Sequence, residues 1–202
     1  MDDIAETLTW PFRDHSWLPK TFIQGLMLLV PVVGAIAMMG WMMESLDNLR
    51  AGRDELARAA LHLKRGWPIF AAAVAYCAVI AIVSLVLVTA GGGHRGIFAL
   101  AQLWNIAAPL GFAFIFPALV LRVDREGFGA GLDVAAVIQT SLVNPRASLG
   151  AAMICILAAA LGLLGLVACG LGVVFTEAYA GTVIVAAVAW FERHLESYHV
   201  TT

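Results

Sequence analysis

The sequence predicts an all-α protein: a polytopic transmembrane helix bundle of about five spans, with one or two interfacial amphipathic helices, in one integral membrane domain over residues 1–202. Three observations carry that prediction. Composition is the first: 61% of the residues are hydrophobic and 13% charged, against nearly half apolar and a quarter charged in soluble domains. Segregation is the second, because the apolar excess lies in long uncharged runs of the length that crosses a bilayer. The third is a seam of small residues on the fourth run. Ala151, Cys155, Ala158, Gly162, Gly165, Cys169 and Gly172 follow one another at steps of four and three. A soluble coiled coil would place Leu or Ile at those positions. In lipid, small residues let helix backbones approach closely and gain dispersion contacts.

Residues 3–10 can form a short amphipathic turn with Ile4, Leu8 and Trp10 on its apolar side. Trp10 and Trp17 with Arg13 and Lys20 read as an interfacial belt before the first span. The opening Met-Asp-Asp-Ile-Ala-Glu is acidic, so no cleaved secretory signal is expected. The first span is placed near 21–43, between Lys20 and Glu44, with Pro31 and Gly34 at its middle. Residues 45–65 are polar with Leu56, Ala60 and Leu63 on one helical face, which predicts a helix at the membrane surface or a solvated helical loop.

The second span, near 67–90, opens with Trp67-Pro68 and stops at Gly91-Gly92-Gly93, the expected placement of Pro and Gly about a helix. The third, near 96–121, contains Pro109 and Pro117, which a membrane helix tolerates when neighbours cover the freed carbonyls. Leu132, Ala135, Ala136, Ile138 and Leu142 suggest a second interfacial helix near 128–143, ended by Asn144-Pro145. The run 147–191 carries one charge, Glu177, and is long enough for two spans, near 148–169 and 172–191.

Basic residues set orientation. Five spans divide the twelve Lys and Arg nine to three, which favours the N-terminus outside and the C-terminus inside a bacterial inner (cytoplasmic) membrane. A rival topology bends the first stretch into a re-entrant hairpin at Pro31–Gly34 and places eleven of the twelve inside. Charge prefers the rival, whereas the length of the stretch prefers five spans.

Few charged or amide side chains fall inside the runs: Gln24, Gln102, Asn105 and Glu177. Gln102 and Glu177 lie about 9 and 8 Å in from the ends of their runs at 1.5 Å per residue. Gln102, Asn105 and Glu177 form a candidate outward-facing polar pocket, since intramembrane carboxylates often bind ions or protons. The alternative is a Glu at a helix N-terminus and amides in interhelical hydrogen bonds. No Ser/His/Asp grouping, metal-ligand spacing, Walker or dinucleotide pattern occurs, and the histidines stand outside the spans or at their ends. The sequence therefore predicts no catalytic residues, no metal and no cofactor. A net charge of −2 predicts no nucleic-acid partner. The partners expected are the lipid bilayer and other membrane protein subunits or further copies of the chain.

Pro11-Phe12-x-Asp14-x-x-Trp17, Pro31-x-x-Gly34, Gly40-Trp41, Gly52 after a basic stretch and Lys64-x-Gly66 occur in that order over the first 75 residues or so. In this the chain resembles a family of uncharacterised prokaryotic polytopic membrane proteins, domain of unknown function four-thousand-and-thirteen. That family carries a Pro-Glu-Trp-like motif after the glycine, where this chain has Arg53-Asp54-Glu55-Leu56. The resemblance implies a membrane bundle and supplies no catalytic residues. The composite reading is a non-enzymatic accessory or structural subunit of an inner-membrane complex, with a small transporter or an ion- or lipid-handling protein as the alternative.

Overall fold

The computed structural model describes residues 4–91, 94–167 and 171–201. Nine α-helices and a 3-10 turn make up the chain in these regions, and no strand occurs among the described residues. They are α1 (Ile4–Thr9), the 3-10 turn Trp10–Arg13, α2 (Trp17–Met27), α3 (Pro31–Arg50), α4 (Leu63–Ala90), α5 (Arg95–Glu126), α6 (Phe128–Leu132), α7 (Val134–Val143), α8 (Pro145–Val167) and α9 (Leu171–Thr201). Four of them, α4, α5, α8 and α9, are long and apolar enough to cross a membrane. The protein is a multi-pass helical membrane protein.

The first apolar stretch does not form one span. It divides at Leu28–Val30 into α2 and α3. Pro31 has no N–H to continue the first helix and restricts the residue before it. Val30 accordingly adopts an extended conformation (φ −98°, ψ 96°). Gly34 then lets the two legs close, because a Cβ there would fall on the carbonyl of Met27 and within 2.7 Å of Leu28 Cα. Both legs lie along α9 in opposite directions. Phe22 of α2 stacks near Phe175 and Phe12 near Tyr179, whereas α3 passes Gly181 at Met38 and reaches Glu192 at Arg50. The hairpin returns to the side it left. This corrects the single helix predicted for the span near 21–43.

The predicted helix near 45–65 is also corrected. Residues 45–50 continue α3, and 53–60 form a non-helical connection that runs back along it. Trp41 Nε1 donates to the Ala57 carbonyl at 2.9 Å, and the Ala57 N–H donates to Ser45 Oγ at 3.1 Å. These side chains satisfy backbone groups that a helix would have paired internally. The connection delivers Gly66 onto α3, where a Cβ would fall on the Ile36 carbonyl. The interfacial helix expected near 128–143 is two short helices. Asp133 separates them and caps α7 by accepting from the Ala136 N–H at 3.0 Å.

At the centre stands α9, not the small-residue helix α8. Residues 185–189 of α9 are buried consecutively, so the helix is enclosed on every side. Trp10, expected at the membrane interface, is fully buried against it and donates Nε1–H to the Thr182 carbonyl at 3.1 Å. The opposite extreme is the outer part of the α4–α5 pair. From Val74 to Ala90 no residue of α4 is buried, and between Gly96 and Phe116 only Ala101 is. This two-helix arm extends about 25 Å at 1.5 Å per residue.

Candidate functional site

Four features carry the polar and packing chemistry of the chain. The first is the contact of α8 with α9. Ala151, Cys155, Ala158, Gly162 and Gly165 are all buried. Their small size is used where α9 presents polar side chains. A Cβ on Gly162 would sit 2.7 Å from Glu177 Oε1, and one on Gly165 would fall on Thr176 Oγ1 and within 2.7 Å of the Gly172 carbonyl. Thr176 Oγ1 donates toward the carbonyls of Gly162, at 2.9 Å, and Gly172, at 3.0 Å. Gly172 therefore belongs to α9 and faces the seam from across the interface. Cys169 lies outside the described residues.

The second feature is the pair of amides on the arm. Asn105 accepts from Ser84 Oγ of α4 through Oδ1 at 2.7 Å. Gln102 is exposed. Glu177 is instead half-buried on α9 against Gly162 of α8. Among the described residues no hydrogen bond or ion pair joins Glu177 to Gln102 or Asn105. The cavity on the arm is of another kind. It is a lateral groove of about 540 Å³ between α4, α5, α6 and α7, lined by Tyr76, Ile80, Trp104, Phe112, Leu132 and Ile138. Tyr76 donates its hydroxyl to the Gly131 carbonyl at 3.0 Å and Trp104 its Nε1–H to the Ile80 carbonyl at 3.3 Å. Both polar tips are thus turned into the fold.

The third feature has no local signal in the sequence, its partners standing as far as 142 positions apart. An ionic clasp ties together the ends of α3, α4, α5 and α9. Arg50 binds Glu192 through two hydrogen bonds and Asp124 through Nη1 at 2.7 Å. Arg65 reaches Asp47 at 2.6 Å and Asp124 at 3.2 Å, and Arg125 reaches Glu192 at 2.6 Å. Burial alone would lower the pKa of Arg50. The carboxylates of Glu192 and Asp124 outweigh it and raise that pKa further above its ordinary value.

The fourth feature fastens the N-terminal segment. Asp14 is 4% exposed. It accepts from the Ser16 N–H (2.7 Å) and hydroxyl (2.8 Å), Lys20 Nζ (2.7 Å) and the Leu56 N–H (3.0 Å). Burial would raise its pKa. The Lys20 ammonium and the hydrogen bonds from Ser16 and Leu56 win and hold it below the ordinary carboxylate value. Farther along α2, Thr21 Oγ1 and both amide atoms of Gln24 are buried with no hydrogen-bond partner among the described residues.

Comparisons with protein-family models, with curated proteins and with solved structures give no match.

Proposed function

We propose that this protein is a non-enzymatic accessory or structural subunit of a bacterial inner-membrane complex, and that the α4–α5 arm is the surface against which other membrane-embedded protein docks. One observation carries the reading. The bundle has an enclosed central helix, yet from Val74 to Ala90 of α4 and from Gly96 to Phe116 of α5 Ala101 alone is buried. Exposed Val79, Ile82, Val86, Leu103, Ile106 and Leu110 suit either lipid or a further helix. The hairpin, the clasp and the α8–α9 seam brace the opposite part of the molecule and give the arm a rigid base. Eleven of the twelve Lys and Arg lie on the side of the clasp, the exception being Arg95. The basic-residue rule puts that side, with both termini, in the cytoplasm.

The alternative is a small transporter using Gln102, Asn105 and Glu177. It has less support, because Asn105 is bonded to Ser84 on the arm while Glu177 stands in the α8–α9 interface. A Glu177→Gln change separates the two: loss of a flux with assembly intact favours transport. The docking reading is tested by placing photo-crosslinking residues at Val86 and Leu103. The protein is then purified in mild detergent from its native membrane at native expression. Crosslinks to a stoichiometric protein partner are expected. Crosslinks to lipid alone, with the chain purifying as a monomer, would overturn the reading.

A further inference from the structure

Arg146 is a cation that the fold leaves unneutralised. It stands exposed at the second residue of α8 and has no hydrogen-bond or ion-pair partner among the described residues. The acids on the neighbouring turn of α9 are spent elsewhere. Glu192 holds Arg50 and Arg125, and Glu196 holds Arg125. Asn144 is spent as well. Its Oδ1 accepts from the Ala147 N–H at 3.1 Å, and its Nδ2 donates to the His194 carbonyl at 3.4 Å. These two bonds fix the start of α8 against the end of α9.

Arg146 borders a hollow of about 680 Å³ between α7, α8 and α9, walled by Val143, Trp190 and His194. Among the described residues no carboxylate lines it. Three other hollows at the same end of the bundle each hold two: Glu126 and Glu196, Glu192 and Glu196, Glu44 and Glu55. An anion at Arg146 therefore meets attraction without an opposing charge. A guanidinium also matches the geometry of a phosphate through two parallel hydrogen bonds.

The surface that continues from the hollow selects the kind of anion. Leu149, Met153 and Leu157 follow Arg146 down one face of α8 at steps of three, four and four. They are 58%, 58% and 49% exposed. From Arg146 to Leu157 the strip is about 16 Å long at 1.5 Å per residue, roughly half of a ~30 Å hydrocarbon core. A charged head beside Arg146 thus sits above an apolar path one leaflet deep. Inorganic phosphate has no tail to use that path. Phosphatidylethanolamine brings an ammonium group, for which this hollow offers no carboxylate.

We propose that the hollow at Arg146 binds an anionic phospholipid of the leaflet on the clasp side. Its phosphate lies on the guanidinium and one acyl chain runs along Leu149, Met153 and Leu157. Basic hollows between helix ends on the cytoplasmic side recognise lipid head groups in this way. The site stands apart from the α4–α5 arm and does not depend on the docking role of that arm.

The test is native mass spectrometry of the full chain, released from micelles that contain phosphatidylglycerol and phosphatidylethanolamine in equal amounts. One phosphatidylglycerol per chain is expected, retained about tenfold over phosphatidylethanolamine. Arg146→Gln should remove the preference, and Arg146→Lys should keep part of it. Lys64→Gln, at an exposed cation of the same side, should leave it unchanged. Phosphatidylglycerol should raise the melting temperature of the wild type and not that of Arg146→Gln. Melting of the variant in phosphatidylethanolamine alone shows that it is folded. Equal retention of the two lipids, or an unchanged preference in Arg146→Gln, overturns the proposal. Displacement of the lipid by millimolar inorganic phosphate would mark a phosphate site that makes no use of the tail, and overturns it too. A photo-crosslink from position 149 to protein rather than lipid would give the strip to another chain, with the same consequence.

Discussion

Arg50 of α3 grips Glu192 of α9 with two parallel hydrogen bonds, Nε to Oε2 and Nη2 to Oε1, each 2.9 Å long. Planar guanidinium and planar carboxylate match in this arrangement, which an ammonium cannot copy. Glu192 is 9% exposed and Asp124 10%, against 29% for Arg50. Removing the cation would leave two largely buried carboxylates with fewer partners. Arg50→Met should therefore cost about 2 kcal/mol in unfolding, less than a fully buried pair would because Arg125 and Arg65 remain. Arg50→Lys should cost about 1 kcal/mol. The Arg50→Met, Glu192→Met double variant should recover part of the loss. Denaturant titration in detergent measures all three, and a strictly additive double variant would argue against direct coupling.

The seam glycines should differ from one another. At Gly162 an added methyl meets the end of the Glu177 side chain, which can swing aside. At Gly165 it meets Thr176 and the backbone of Gly172, which cannot. Gly165→Ala should lower stability more than Gly162→Ala, by about 1–3 kcal/mol of overpacking. Gly162→Leu and Gly165→Leu should both reduce assembly or yield. Gly111 is the control, having no atom within 4 Å of a built Cβ. Gly111→Ala should be neutral or stabilising by up to about 1 kcal/mol from helix propensity. Thermal melting ranks the set, and equal effects at all three glycines would refute the packing role.

Asp14 makes the N-terminal anchor sensitive to acid. Its pKa in the fold is below the unfolded value of about 3.9. As pH falls, the unfolded chain takes up the proton first. The contribution is thus fully present above the unfolded pKa and is lost as pH falls through the folded one. Asp14→Asn removes the charge facing Lys20 and should cost about 1–2 kcal/mol at neutral pH. The gap between wild type and variant should narrow as pH drops below about 4. A gap that is constant from pH 7 to pH 3 would contradict this account.

How much of this was legible in the sequence follows from the range of each interaction. Spans α4, α5, α8 and α9 were readable because a run of some twenty uncharged residues has few other uses. The first stretch has the same length, but Val30-Pro31 broke it, and the charge count favoured the hairpin that length argued against. The non-helical connection reads as helix from the sequence because Leu56, Ala60 and Leu63 fall on one helical face. Leu56 is buried for another reason, since its N–H serves Asp14. Arg50 and Glu192 are 142 positions apart, and no local pattern links them. The central role of α9 has its own signal in the sequence: Ala178, Ala180, Gly181, Ala186, Ala187 and Ala189 distribute small residues around the whole helix rather than along one stripe. For Gln102, Asn105 and Glu177, the depth read from the sequence groups residues that the fold assigns to different helix pairs.

The hairpin makes a topological prediction that separates it from a five-span chain. Arg13, Ala51 and Arg193 should face one side of the membrane and His94 the other, because α2 and α3 enter and leave together. A five-span chain would instead put Arg13 and Ala51 on opposite sides. The physical preference is for the hairpin. It keeps Arg13, Lys20 and the clasp residues in one compartment, whereas a full crossing would move two basic residues to the opposite face against the usual bias. Its broken backbone at Leu28–Val30 keeps its donors paired, since the Leu28, Leu29 and Val30 N–H groups donate to the Gly25, Leu26 and Met27 carbonyls at 3.0–3.1 Å. Cysteines introduced one at a time at positions 13, 51, 94 and 193, in a Cys77→Ser, Cys169→Ala background that keeps only the buried Cys155, can be labelled with a membrane-impermeant maleimide in spheroplasts and in inverted vesicles. Residues 13, 51 and 193 should react in inverted vesicles and residue 94 in spheroplasts. Opposite labelling of residues 13 and 51 would restore the full crossing. Reversal of all four would keep the hairpin and invert the protein in the membrane.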